Sequence, residues 1–157
     1  MHLKIYLQNT FISLILILFL PQSINAEEKK IIINTSKKEI IYDVEIANTV
    51  EKRKKGLMFR KELQSGKGML FIFPNSKLVQ IWMKNTFIPL DIIYVSKNNI
   101  ITQIVKNALP NNDTIYYSKN LTKYVLEINA GQTNNYGIKI GDKLYIDKKR
   151  KKHKPKT

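Results

Sequence analysis

Five side chains that could do chemistry fall within one ten-residue window. Trp82, Lys84, Asn85, Thr86 and Asp91 all lie in WMKNTFIPLD, with Arg60 upstream and Glu127 downstream. An aromatic ring beside hydrogen-bonding side chains is what a ligand pocket needs to hold and orient a small molecule. A neighbouring cation suits an anionic or sugar-like ligand. Asp91 and Glu127 could instead form a carboxylate acid–base pair, with Lys84 or Arg60 stabilising developing negative charge. Structural roles compete with each of these. Asn85 and Thr86 are good turn residues, and a lone Trp is commonly core. Asp91 also fits a carboxylate that holds the 84–89 loop through its amides or that meets Lys84 or Arg60. A solvated outer face would account for Glu127.

What is missing narrows the chemistry further. The chain has no Cys, and its two His are His2 and His153, close to the two termini. A central region without either residue has no Ser–His–Asp machinery, no histidine general base, no thiol nucleophile and almost no means of holding zinc. No DxDxDG-like cluster of hard-metal ligands is present either. The sequence therefore implies no metal and no cofactor, and it leans away from an enzyme. A carboxylate-based hydrolase is the remaining catalytic reading.

Residues 1–26 stand apart from the rest. Lys4 gives a basic start, Phe11–Leu20 is apolar except for Ser13, Pro21 breaks the run, and Ala26 offers a small residue at the expected cut. That is the pattern of a secretory signal peptide, and the run is too short for a membrane span of about 20 residues. An exported protein, periplasmic or extracellular, is expected, with no transmembrane span in the mature chain. At the other end, 148–157 reads KKRKKHKPKT, a like-charge block expected to be a disordered tail. It contributes about half of the net charge of +15 and could touch anionic surfaces. Heavy use of Lys, Ile and Asn throughout accounts for much of this charge, and no nucleic-acid partner is expected of an exported protein.

Residues 27–147 are long enough for one core. Ile40, Tyr42, Val44 and Ile46 alternate with polar residues, as in a half-buried strand. Further strands are expected at 31–34, 69–74, 78–83, 90–96, 100–105, 124–129 and near 143–146. Asn48-Thr49-Val50-Glu51 predicts a capping box opening a polar helix that ends at Gly56. Leu57, Met58 and Phe59 should then re-enter the core. Lys97-Asn98-Asn99 predicts a hairpin turn, and Pro89 belongs at the start of a strand. The expectation is a mainly β, single compact barrel-like domain of seven or eight short strands with one short helix.

Five segments in this order and spacing resemble the DUF192 family, also called UPF0127: GLMFR, GMLFIF, WMKNTFIPLDIIYV, VLEINAG and GIKIGD. The resemblance runs from about Tyr42 to Ile146. It implies a small, predominantly β domain, often exported and of unassigned function. It marks Gly56, Arg60, Trp82, Lys84, Asn85, Thr86, Asp91, Glu127, Gly131 and Asp142 as motif positions. Ser96 and Asn98-Asn99 depart from the family's usual acidic residue and turn glycine. The expected function is a non-catalytic module of the cell envelope, binding an anionic or sugar-like ligand through the Trp82–Asp91 region. Its alternative is a structural or assembly accessory of an envelope complex.

Overall fold

The computed structural model describes residues 28–147. The expected signal peptide, 1–26, and the basic tail, 148–157, lie outside the described residues.

Alternating side chains build a sheet that needs cover on both faces. The strands are β1 (Glu28–Asn34), β2 (Glu39–Ala47), β3 (Lys67–Lys77), β4 (Gln80–Trp82), β5 (Leu90–Val95), β6 (Ile101–Ala108), β7 (Ile115–Tyr117), β8 (Thr122–Asn129) and β9 (Lys143–Ile146). Seven of them form one sheet in the order β6-β5-β8-β3-β2-β1-β9, while β4 and β7 pair separately. All pairs are antiparallel except β2 with β3. A parallel pair needs a crossover, and α1 (Val50–Lys55) supplies it. The large sheet curls until its two outermost strands touch at one end, where Ile100 bridges Lys143. The Ile101 N–H donates to the Asp142 carbonyl at 2.9 Å, and the Leu144 N–H donates to the Asn99 carbonyl at 2.9 Å.

Curling gives two cores. The first draws Ile31, Ile33, Tyr42, Val44, Leu70, Ile93, Ile101, Leu126 and Leu144 from all seven strands, so it fills the inside. The second lies on the outer face of the central strands, where Met69, Phe71, Leu90, Ile92, Tyr94 and Val125 are covered by Leu57, Val79, Ile81 and Met83. This double burial explains why β3 and β5 are apolar on both faces. The β4–β7 ribbon is the lid on the second core, pinned by the Tyr94 hydroxyl donating to the Tyr116 carbonyl at 3.1 Å.

The mainly β architecture matches the sequence-based expectation; the described residues form nine strands and two short helices, against the seven or eight strands and one helix expected. The helix cap is Thr49, one residue beyond the expected Asn48: its hydroxyl accepts the Lys52 N–H at 3.2 Å. Gly56 closes the helix at φ 49°, as predicted, and Asn99 turns the 97–99 hairpin at φ 63°. Leu57 enters the core, but Phe59 does not. It stands 64% exposed at φ 65°, in a left-handed conformation that turns its ring outward. The strand expected at 78–83 shortens to β4. Two elements carry no strong sequence signal: β7, and α2 (Gln132–Tyr136), a polar single turn.

Candidate functional site

Two carboxyls are buried in the central strands, and register puts them on opposite faces. Asp91 pairs with Ile128, whereas Glu127 pairs with Ile92. Directly paired residues share a face and successive residues alternate, so Asp91 faces the inner core and Glu127 the outer one. They cannot act together as an acid–base pair across one substrate.

Asp91 is fully buried and fully occupied. Its Oδ1 accepts the Asn107 N–H at 3.0 Å. Its Oδ2 accepts the Thr133 N–H at 2.9 Å and the Thr133 hydroxyl at 2.7 Å. Asn107 is free to donate because β6 bulges opposite Asp91, with a register shift between Leu90 and Ile92. Asp91 therefore stitches the bulge and the start of α2 to β5. The expected partners were the 84–89 amides, Lys84 or Arg60; the actual ones lie far away in sequence because the barrel end is assembled from three distant segments. Gly68, next to Ile128 in this arrangement, has no room for a side chain: a Cβ there would meet the Glu127 carbonyl at 2.7 Å.

Glu127 behaves differently. It is 5% exposed, so the expected solvated face is not where it lies, because the second core covers that face. No hydrogen bond or ion pair reaches its carboxyl among the described residues. Burial pushes its pKa up to about 8, since a charge is poorly solvated there. Its carboxyl belongs to the lining of a cavity of about 470 Å³ between α1, β3, β4 and β8, a size typical of small-molecule sites at about 300–1,000 Å³.

The cavity walls combine aromatic rings and cations. Phe71, Phe73 and Trp82 line it, with Arg53, Lys54, Lys55 and Lys77. Arg53 and Lys77 both sit 5.4 Å from the centre of the Phe73 ring. Arg53 is fixed there by donating to the Asn48 carbonyl at 2.7 Å and the Ile72 carbonyl at 2.8 Å. None of these four cations forms an ion pair among the described residues. Glu127 is the one carboxyl in the lining, and it is mainly uncharged at neutral pH. Like charges held together attract an anion.

Of the seven residues singled out from the sequence, Trp82, Thr86 and Glu127 come together in this cavity. Trp82 is 43% exposed rather than core. Thr86 is buried, with its N–H donating to the Met83 carbonyl at 3.1 Å. Lys84 lies outside the lining, 4.7 Å above the Trp82 ring, where it can hold the indole in place. Asn85 is architecture: it turns the chain at φ 55° and its carbonyl accepts the Phe59 N–H at 2.7 Å. Arg60 is elsewhere, clamped on Glu45 with both carboxylate oxygens engaged, one at 2.8 Å. The hydrogen bond from Arg60 is the chief reason the Glu45 pKa falls below the usual range. Glu45, Met69 and Glu127 are successive register partners across β2, β3 and β8, so Arg60 serves the other carboxyl of the row.

Sequence reasoning missed Arg53, Lys54, Lys55 and Lys77. The signal for the first three was visible in EKRKK, one acid followed by four cations, but a short polar helix reads as a solvated surface until its packing partner is known. Among the described residues no group of three or more His, Cys, Asp or Glu could hold a metal ion, and no helix is long and apolar enough to cross a membrane.

Residues 31–146 match the family described as DUF192, "Uncharacterized ACR". No curated protein matches the chain. Two solved structures are similar over most of their length. One, from Sinorhizobium meliloti 1021, is described as a "putative transcription regulator"; it is 34% identical, with a TM-score of 0.75 over 77% of this chain and 95% of that one. The other, from Novosphingobium aromaticivorans DSM 12444, is described as a protein of unknown function; it is 36% identical, with a TM-score of 0.76 over 80% of this chain and 89% of that one.

Proposed function

The chain belongs to the DUF192 family, and from that premise we propose that it is an exported, non-catalytic module of the cell envelope that binds an anionic or sugar-like ligand. Export draws on the leader-like residues 1–26. The binding site is the cavity between α1, β3, β4 and β8. One observation carries this reading: four cations without ion-pair partners surround aromatic walls, and the single carboxyl among them is held uncharged by burial. A ligand with negative charge and a flat or ring-shaped body satisfies both features. Asp91 and Glu127 face opposite ways, which favours binding over a hydrolysis that would use the two together.

Trp82 is the only Trp in the chain, so its fluorescence reports on this cavity alone. Titrating the full chain with a panel of neutral and acidic saccharides should give saturable changes with the acidic members. Weakening by salt is expected, as exposed cations are screened. Unchanged emission across the panel, with no heat of binding, would remove the reading.

The alternative, a structural accessory of an envelope complex, draws on a separate feature. Phe59 and Phe87 are exposed and stack edge to face, ring centres 6.5 Å apart. Replacing both by Ser should then weaken assembly while sparing ligand binding, as read by sedimentation and fluorescence on the same samples.

A further inference from the structure

The cavity is polarised from mouth to floor. Lys54, Lys55 and Lys77 are exposed at its edge, while Thr86 and Glu127 are buried within it. Trp82, half exposed, stands between. No group of the described residues hydrogen-bonds the Glu127 carboxyl, and Glu127 lines the cavity, so the carboxyl is free to meet a ligand there.

Resting on the binding reading above, we propose that the ligand is an acidic sugar, a hexuronate unit. Its carboxylate meets the lysines of the mouth, one ring face lies on Trp82, and a ring hydroxyl accepts the Glu127 carboxyl proton. Three alternatives fit less well. A neutral sugar leaves the cation cluster unanswered. An aliphatic acid leaves Glu127 without an acceptor. A phosphosugar would be served best by converging backbone amides or a free guanidinium fork, but the cavity offers three separate lysines, and one nitrogen of its single Arg is taken by two carbonyls.

The state of Glu127 supports the arrangement. At about 8, its pKa leaves the acid form dominant at neutral pH, and the acid form is the one that can donate. The titratable groups around it are few. From α1 come Arg53, Lys54 and Lys55, and from β3 comes Lys77. From β5 comes Tyr94, whose phenol is pushed up by burial first and by Glu127 second. Tyr116 lies beyond Tyr94 on β7, and Glu45, on the same row, is neutralised by Arg60.

Trp82 fluorescence of the full chain is titrated with galacturonate, galactose, galactose 6-phosphate and hexanoate, each at several pH values. Galacturonate should bind most tightly at pH 6.5 and lose roughly tenfold in affinity per pH unit well above 8. Glu127→Gln, which keeps an N–H donor at every pH, should bind galacturonate with a flat profile. Preference for galactose, galactose 6-phosphate or hexanoate overturns the acidic-sugar inference and leaves a binding site of another class. A flat profile in the unmodified protein overturns the role of Glu127. No response to any of the four overturns the inference and the binding reading together.

Discussion

Asp91 and Glu127 are buried carboxyls of adjacent strands, one facing the inside of the curled sheet and one facing out. Asp91 receives three hydrogen bonds from two distant segments; Glu127 receives none among the described residues. The first carboxyl is held by the fold, and the second is tolerated by it. Burial alone therefore does not separate architecture from site. The number of partners does, because a buried acceptor left empty costs about 1–3 kcal/mol.

Substitutions can break or sharpen this contrast, beginning with the largest effect. Asp91→Asn should destabilise by about 3 kcal/mol, because an amide cannot accept all three donors. Urea unfolding at constant m-value measures it, and unchanged stability would erase the distinction between the two faces. Glu127→Gln should do the opposite. The Glu127 pKa rises from 4.5 to about 8 on folding, so the folded state holds the extra proton between those values. Its contribution is fully favourable below about pH 4.5, declines as pH rises, and levels out above about 8. Glu127→Gln removes that decline, so its stability relative to the parent should grow steadily as pH rises from about 4.5 to about 8. Melting curves at both pH values test this, and parallel curves would show that the carboxyl is paired in solution.

Smaller changes refine the picture. Thr133→Val removes one of the three bonds to Asp91 and should cost about 1 kcal/mol. Combined with Asp91→Asn, its effect should be less than additive, since both act on one network. Trp82→Leu should alter stability by no more than about 0.5 kcal/mol, because the ring is half exposed. Calorimetry should nonetheless show saccharide binding lost. A large loss of stability instead would move Trp82 from the site to the core.

Strands with clean alternation, such as β2, were legible in the sequence, as were the 97–99 hairpin and Gly56. Local chemistry determines each of them. Part of the site was legible too: Trp82, Thr86 and Glu127 stand out as polar or aromatic residues within apolar runs. Asp91 stood out for the same reason, yet its partners at 107 and 133 depend on a bulge and a single polar helical turn with no periodic pattern. The cations of α1 were overlooked because a crossover helix declares its face only when it packs on β3. β7 is three residues long and owes its existence to pairing with β4, a long-range contact that local composition does not encode.

Closure of the sheet has a consequence for when the chain can fold. β9 covers the free side of β1 and, through Lys143, also meets Ile100 beside β6. Both outer edges of the seven-stranded sheet thus depend on residues 143–146. A growing chain that has not yet produced them carries two open, isoleucine-rich edges, each able to pair with another copy. The last described strand acts as a clasp: the sheet can close only once residues 143–146 have emerged, and a chain lacking these four residues would be exposed to aggregation rather than merely less stable.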